Sequence, residues 1–171
     1  YQSIYLDRLA EIYNEATQPT NALKVKLQLV ERYNQEKKIR ELANLKISIA
    51  NDYQLLNKPE PASQNYREAF ELAWSLKDFA VASESLEKLG NLYQKYQQID
   101  SALQIYQQLI KVQQKAYNYY GLMNNFDRIG QIYLDRQNYP QALSAFQKGL
   151  EIAKNLNYQE DYFLKQISQV D

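Results

Sequence analysis

The sequence predicts an all-α fold, an α-solenoid in which antiparallel helix pairs repeat along the chain. Three observations lead to this prediction. One pattern returns at constant spacing, as at Ala22, Ala62, Ala102 and Ala142; apolar residues recur at spacings of three and four; and the chain contains only 4 Gly and 4 Pro. The spacing of three and four places apolar side chains on one face of a helix. A chain so poor in turn residues favours long helices over many short strands.

The repeat rests on anchor residues that keep one phase over four copies without an insertion. The anchors are Leu6, Lys46, Leu86 and Phe126; the small residues Ala10, Ala50, Gly90 and Gly130; Tyr13, Tyr53, Tyr93 and Tyr133; Ala22, Ala62, Ala102 and Ala142; and Lys26, Tyr66, Tyr106 and Phe146. We therefore expect one domain spanning residues 1–171, with repeats at about 1–40, 41–80, 81–120 and 121–160. We expect the Tyr anchors to lie in the core.

The apolar spacing predicts two helices in each copy. In order along the chain they lie at about 2–16, 20–36, 41–57, 60–76, 80–97, 100–117, 120–137 and 140–156. Pro19, Pro59 and Pro140 fall where the second helix of a copy begins, a position that tolerates a missing N–H. In the third copy we expect Asp100 or Ser101 to cap that helix. Residues 160–171 predict a capping helix or a truncated fifth repeat, with Phe163, Leu164, Ile167 and Val170 on its apolar side.

Composition excludes several classes of function. Cys and His are absent, which excludes disulfides, thiolate or imidazole metal ligands, and catalysis by either side chain. We expect no enzyme activity and no cofactor. The 20 basic and 20 acidic residues balance, so we do not expect nucleic acid as a partner. No apolar run approaches the roughly 18 residues of a membrane helix, and no signal-peptide layout is present. We therefore expect no membrane insertion and a cytoplasmic location.

The anchors resemble the tetratricopeptide repeat (TPR). Its pattern is matched by Leu86, Leu89, Gly90, Tyr93, Ala102 and Tyr106, and again by Phe126, Ile129, Gly130, Tyr133, Ala142 and Phe146. The usual closing Pro is replaced by Asn34, Trp74, Gln114 and Lys154. The period is longer than that of the common form, so the repeats are similar to those of kinesin light chains and related bacterial scaffold and signalling proteins. The resemblance implies a right-handed solenoid.

The resemblance also implies that the first helix of each pair lines a concave groove that binds a protein or peptide. The residues at the groove positions include Asn44, Asn51, Gln54, Glu87, Asn91, Gln94, Lys95, Asn124, Asp127, Gln131 and Asp135. Glu11, Asn51, Asn91 and Gln131 form a row with one residue per repeat. An Asn amide can donate to one peptide group and accept from another, which suits the backbone of a bound peptide.

The charges at these positions favour a neutral to basic ligand segment. Relatives that clamp a carboxylate present basic residues where this chain has Asp7, Glu87 and Asp127. Lys88 and Arg128 lie one residue further along and could reach the rim of the groove.

Three functions remain open at this point. The first is a non-catalytic scaffold for protein–protein interaction. The second is a regulatory or sensor segment of a larger multidomain signalling protein, since the absence of Met at position 1 leads us to expect a piece of a longer chain. The third is a structural module that self-associates through the solenoid ends.

Three tyrosines near the turn between copies three and four have two interpretations. Tyr117, Tyr119 and Tyr120 either pack this turn or form an exposed binding hot spot.

Overall fold

The computed structural model describes residues 2–170, and these residues form nine α-helices and no strand. The helices are α1 (Gln2–Glu15), α2 (Pro19–Gln35), α3 (Ile39–Leu55), α4 (Pro59–Ser75), α5 (Phe79–Lys95), α6 (Ile99–Lys115), α7 (Tyr119–Asp135), α8 (Tyr139–Leu156) and α9 (Glu160–Ile167). The all-α class is confirmed, and the first eight predicted helices agree closely with the structure. Pro19, Pro59 and Pro140 lie in the first turns of α2, α4 and α8, as predicted.

Helices α1 to α8 are each followed by the same kind of turn. One turn residue has a left-handed conformation, with φ between 50° and 60°, at Thr17, Lys37, Asn57, Lys77, Gln97, Tyr117, Gln137 and Asn157. After α2, Lys38 N donates to Tyr33 O at 2.9 Å, the hydrogen bond that closes a Schellman motif. None of these residues is glycine, although glycine adopts this conformation most easily. The turn occurs twice in every copy, so the structural period is half of the sequence period.

The predicted cap of α6 is wrong. This helix begins at Ile99 and its N-cap is Gln98, which makes no capping hydrogen bond through its side chain. Asp100 lies inside the first turn instead, where its negative charge interacts favourably with the positive end of the helix dipole. Side chains do cap α5 and α7. Asp78 accepts from Val81 N at 3.3 Å, and Asn118 accepts from Gly121 N at 2.9 Å.

The chain divides into two compact units, Tyr1–Gln97 and Gln98–Asp171, whose described parts are residues 2–97 and 98–170. In the first unit, helices α1 to α5 pack in sequential pairs. Its core includes Leu23, Leu29, Leu42, Leu45 and Ile49. Lys26 and Asp52 are also buried there. The organisation of residues 1–171 as one domain stays a prediction.

In the second unit, helices α6 to α9 also pack in sequential pairs, and the core includes Met123, Ala142, Phe146 and Phe163. The small residue at 130 lies where two helices of this unit meet. A Cβ atom on Gly130 would lie 2.4 Å from Cε1 of Phe146, so glycine lets α7 and α8 approach closely. Of the Tyr anchors, Tyr13, Tyr53 and Tyr133 pack against the core clusters as predicted, but these three and Tyr93 are only half-buried.

Helix α9 covers α8. Phe163 is 1% exposed and lies so close to Gly149 that an added Cβ would be 2.3 Å from its ring. Ile167 and Val170 join the same cluster, but Leu164 is 49% exposed, so its predicted place on the apolar side is wrong. Gln169 falls at the phase of Leu9, Ile49, Leu89 and Ile129. A glutamine at that position does not supply the apolar contact of a repeat's first helix. Both the capping helix and the truncated fifth repeat stay predictions.

Candidate partner-binding site

A cavity of about 390 Å³ in the first unit brings several predicted groove residues together. It is lined by Asn51, Gln54 and Leu55 of α3, Tyr66 of α4, and Lys88, Asn91 and Lys95 of α5. Four of these seven residues, Asn51, Gln54, Asn91 and Lys95, were predicted as partner-binding residues. They meet because α3 and α5 are first helices of adjacent copies and contact each other.

The Tyr66 hydroxyl orients the polar side chains on α3. Its Oη donates to Asn51 Oδ1 at 2.6 Å and lies 3.1 Å from Gln54 Oε1. This contact occupies the acceptor end of the Asn51 amide. Among the described residues no group accepts from Asn51 Nδ2, so the donor end remains available at the cavity. Burial, with the charge of Glu84 as a smaller cause, raises the pKa of Tyr66 to about 12, so its hydroxyl keeps its proton at neutral pH.

The charge of this cavity is positive. Lys88 and Lys95 line it, and none of its described lining residues is acidic. Lys88 Nζ lies 3.8 Å from Glu84 Oε1, and Lys95 Nζ lies 5.7 Å from the ring centroid of Tyr96. Sequence reasoning placed Lys88 only at the rim, because the repeat pattern does not tell where a long side chain ends.

The other predicted residues of the first unit lie outside this cavity. Asn44 is exposed, and its Nδ2 donates to Arg40 O at 3.2 Å. Glu87 is exposed and Gln94 is half-buried. Asp7, on which the charge prediction partly rested, accepts a hydrogen bond from Tyr33 Oη at 2.6 Å. Part of its hydrogen-bonding capacity is therefore used inside the chain.

In the second unit, α9 contacts two of the four predicted groove residues of copy four. Tyr162 Oη donates to Asp127 Oδ1 at 2.8 Å, and Gln131 Nε2 donates to Gln166 Oε1 at 2.9 Å. Burial and the Asp127 hydrogen bond raise the pKa of Tyr162 to about 12. The remaining two, Asn124 and Asp135, are exposed. Sequence reasoning missed these contacts because residues 160–171 depart from the anchor pattern.

A second, larger cavity of about 670 Å³ lies in the second unit and was not predicted. Its lining is mainly apolar and includes Tyr119, Leu122, Phe126 and Ile152. Lys148 Nζ lies 5.7 Å from the ring centroid of Phe126. The sequence signal that could have found it is the departure of Phe126 and Ile152 from the smaller or polar residues at the same phase in copy one, Leu6 and Arg32.

The tyrosines at the turn before α7 are exposed. Tyr117, Tyr119 and Tyr120 are 77%, 49% and 54% exposed, and the ring of Tyr120 meets that of Tyr158 edge to face at 5.7 Å. The alternative in which they pack into the turn is therefore the weaker one.

Residues 2–170 offer no site for a metal ion built from three or more His, Cys, Asp or Glu side chains. None of the helices in that part of the chain combines the length and the hydropathy of a membrane span.

Comparison with known proteins identifies the repeat. Residues 81–155 match the tetratricopeptide repeat family. No curated protein matches the sequence. The matched stretch covers copy three and most of copy four, the copies in which the anchor pattern is most complete.

Solved structures with the same fold come from several proteins. BtubC (BKLC) from P. vanneervenii is 19% identical, with 91% of this chain and 64% of that chain covered and a TM-score of 0.71. Aspartyl phosphate phosphatase F from Bacillus subtilis is 17% identical, with 99% and 44% covered and a TM-score of 0.75. TPR-like repeats from Podosopora anserina, named as a kinesin light chain, are 12% identical, with 99% and 84% covered and a TM-score of 0.69.

These identities show a shared fold and no more. The chain spans 64% of the length of BtubC and 44% of that of aspartyl phosphate phosphatase F. The sequence match, the phase of the anchors and the helix pairs agree: residues 81–155 match the tetratricopeptide repeat family, and the described chain shares the fold of kinesin light chain-like TPR structures.

Proposed function

We propose that this chain is a non-catalytic protein-interaction module that binds a peptide or helix of a partner along the first helices of its repeats. The observation that supports this proposal is the cavity between α3 and α5, where Asn51 presents an oriented amide donor beside Asn91. Stacked repeats create extended binding surfaces, and a function has to be argued from such a site because the fold alone hosts many functions.

The geometry suits an extended or helical backbone. Because Tyr66 holds the acceptor end of the Asn51 amide, its Nδ2 can donate to a carbonyl oxygen of a bound segment. Leu55 lines the same cavity and is 71% exposed, so it offers apolar contact to a ligand side chain. One polar anchor and one apolar contact at a concave position are typical of ligand sites.

Two sets of charged residues bear on the charge of the bound segment: the exposed carboxylates and the lysines of the cavity. The expected preference for a neutral to basic segment rests on exposed carboxylates such as Glu87 and Asp135. Lys88 and Lys95 favour an acidic group inside the cavity. We propose a segment that is neutral to basic overall and places one acceptor or acidic group at the cavity. Acidic and basic versions of one captured peptide test this: tighter binding of an acidic version throughout would contradict it.

The alternative is that the chain is a regulatory or sensor part of a larger signalling protein. The comparison that favours it is the fold that the chain shares with aspartyl phosphate phosphatase F. Self-association through the ends stays a third reading, tested by light scattering over a range of concentrations. We also propose that the protein is located in the cytoplasm.

The experiment is capture of partners from a lysate of the source organism by three forms of the chain. These are the wild type, Asn51→Ala/Asn91→Ala, and Asn34→Ala/Asn155→Ala as a control with exposed Asn residues on second helices. We expect the partner to be lost with the first double variant and kept with the second. Equal capture by all three folded forms would place binding elsewhere and contradict the proposal.

A further inference from the structure

The first unit buries an ion pair where two helices of adjacent copies meet. Lys26 of α2 is 2% exposed and Asp52 of α3 is 3% exposed. Lys26 Nζ lies 2.6 Å from Asp52 Oδ2, 3.0 Å from Asn14 Oδ1 and 3.5 Å from Ser48 O. The ammonium group therefore contacts acceptors on both sides of α2, and its charge is compensated inside the core.

The other junctions hold different residues at these two positions. At the next junction the pair is Tyr66 and Leu92, and at the one after it is Tyr106 and Ile132. All four of these side chains are buried. The anchor that is aromatic in three copies is thus a cation in the first, and the aliphatic position that follows it has changed to a carboxylate. The two departures from the repeat pattern compensate each other.

We propose that Lys26 and Asp52 are a matching device that commits the second helix of copy one to the first helix of copy two. Repeats of similar sequence can pack against the wrong neighbour, and misassembly is a characteristic failure of repeat proteins. If α2 packed against a first helix that carries Leu92 or Ile132 at this position, Lys26 would be buried without a counter-ion. Such an uncompensated charge disfavours the wrong junction by about 10²- to 10⁴-fold. A matching role for buried charges is established in some proteins and absent in others, so it has to be tested in this one.

A second ion pair at an anchor position supports the inference. Lys46 occupies the place of Leu6, Leu86 and Phe126, and its Nζ lies 2.6 Å from Glu68 Oε2 of α4. This cation also departs from the repeat pattern, and it also forms an ion pair with a carboxylate on the next helix. Each side of α3 therefore has one charged partner of its own, Lys26 on α2 and Glu68 on α4.

The test uses the full chain and the residues that the next junction carries. The variants are Lys26→Tyr, Asp52→Leu and the double variant, studied by urea unfolding with Trp74 fluorescence, since Trp74 is the only Trp and lies in the first unit. Each single variant leaves one buried charge unpaired, and we expect it to lower the folding equilibrium constant by about 10²- to 10⁴-fold. We expect the double variant to return to within about tenfold of the wild type, because a well-packed apolar pair can replace a buried ion pair. If Tyr does not fit, Lys26→Met/Asp52→Leu serves the same purpose, because Met is flexible enough to fill an irregular space.

The readout that separates matching from stability is refolding at high protein concentration. After dilution from urea, light scattering behind size exclusion measures the fraction of swapped or misassembled oligomer. We expect a larger fraction for the double variant than for the wild type, although the two are similarly stable. An equal oligomer fraction would overturn the proposal, and so would a single Asp52→Leu variant that loses less than tenfold in the folding equilibrium.

Discussion

Replacing Phe163 by Ala tests how α9 is held on α8. Burying a Phe side chain removes about 150–250 Å² from water, which at about 25 cal/mol per Å² corresponds to about 4–6 kcal/mol. Large-to-small substitutions of this kind lose about 3–5 kcal/mol. Helix α9 has eight residues; it packs against α8 and makes side-chain hydrogen bonds to Asp127 and Gln131 of α7. The loss therefore cannot exceed the free energy that docks α9, and we expect the helix to detach.

Hydrogen exchange along α9 and urea unfolding of the chain measure this effect. We expect the amides of α9 to lose protection and the free energy of unfolding to fall by at most about 3–5 kcal/mol. The matched control is Leu164→Ala, because Leu164 is the next residue of the same helix and is 49% exposed. It should change stability by no more than about 0.5 kcal/mol. Full protection of α9 in the Phe163 variant, or equal losses in both variants, would refute the packing described for Phe163.

Three further predictions concern stability. Gly130→Ala should lose about 1–3 kcal/mol in urea unfolding, because its Cβ would lie 2.4 Å from the Phe146 ring; an unchanged midpoint would contradict the close approach of α7 and α8. Lys77→Gly should raise the free energy of unfolding by about 0.5–1 kcal/mol. Lys77 has φ 56°, and this left-handed conformation costs a non-glycine residue about 1–2 kcal/mol, which the entropy of glycine offsets in part. A lower free energy of unfolding would count against this account of the turns. Burial raises the pKa values of Tyr66 and Tyr162 to about 12, against about 10 when unfolded. The two hydroxyls contribute fully to the free energy of unfolding below pH 10. Between pH 10 and 12 only the unfolded state releases their protons, so this contribution is lost and stability should fall there. Unfolding at pH 9 and pH 11, with the absorbance of tyrosinate as a second signal, checks this, and a flat profile would contradict it.

The first eight helices were predictable because two signals agree over the four copies. The phase of the anchors places each copy, and the apolar spacing within a copy identifies the buried faces. The turns were less predictable, since no glycine marks the left-handed residue at Lys37 or Tyr117. That conformation is held by backbone hydrogen bonds such as Lys38 N to Tyr33 O, which leave no signature in the residue type.

The site was predictable only in part, for reasons of geometry. The family pattern placed Asn51 and Asn91 on first helices, and the structure brings both to one cavity. The hydrogen bond from Tyr66 to Asn51 could not be predicted, because an aromatic anchor indicates burial but does not indicate which group its hydroxyl contacts. The partner of Lys26 could not be predicted either. Asp52 is distant from it in sequence, and the contact depends on how α2 and α3 pack.

The most direct test of the proposed binding site is photo-cross-linking from position 55. A photoreactive amino acid replaces Leu55, which lines the cavity and is 71% exposed, and the folded chain is irradiated in a lysate of the source organism. The control carries the same group at Leu27, which is 45% exposed on α2. We predict that one partner protein cross-links from position 55, that Asn51→Ala in the same chain abolishes the product, and that position 27 does not yield it. The same partner cross-linking from position 27 alone, or from position 55 regardless of Asn51, would contradict a binding site between α3 and α5.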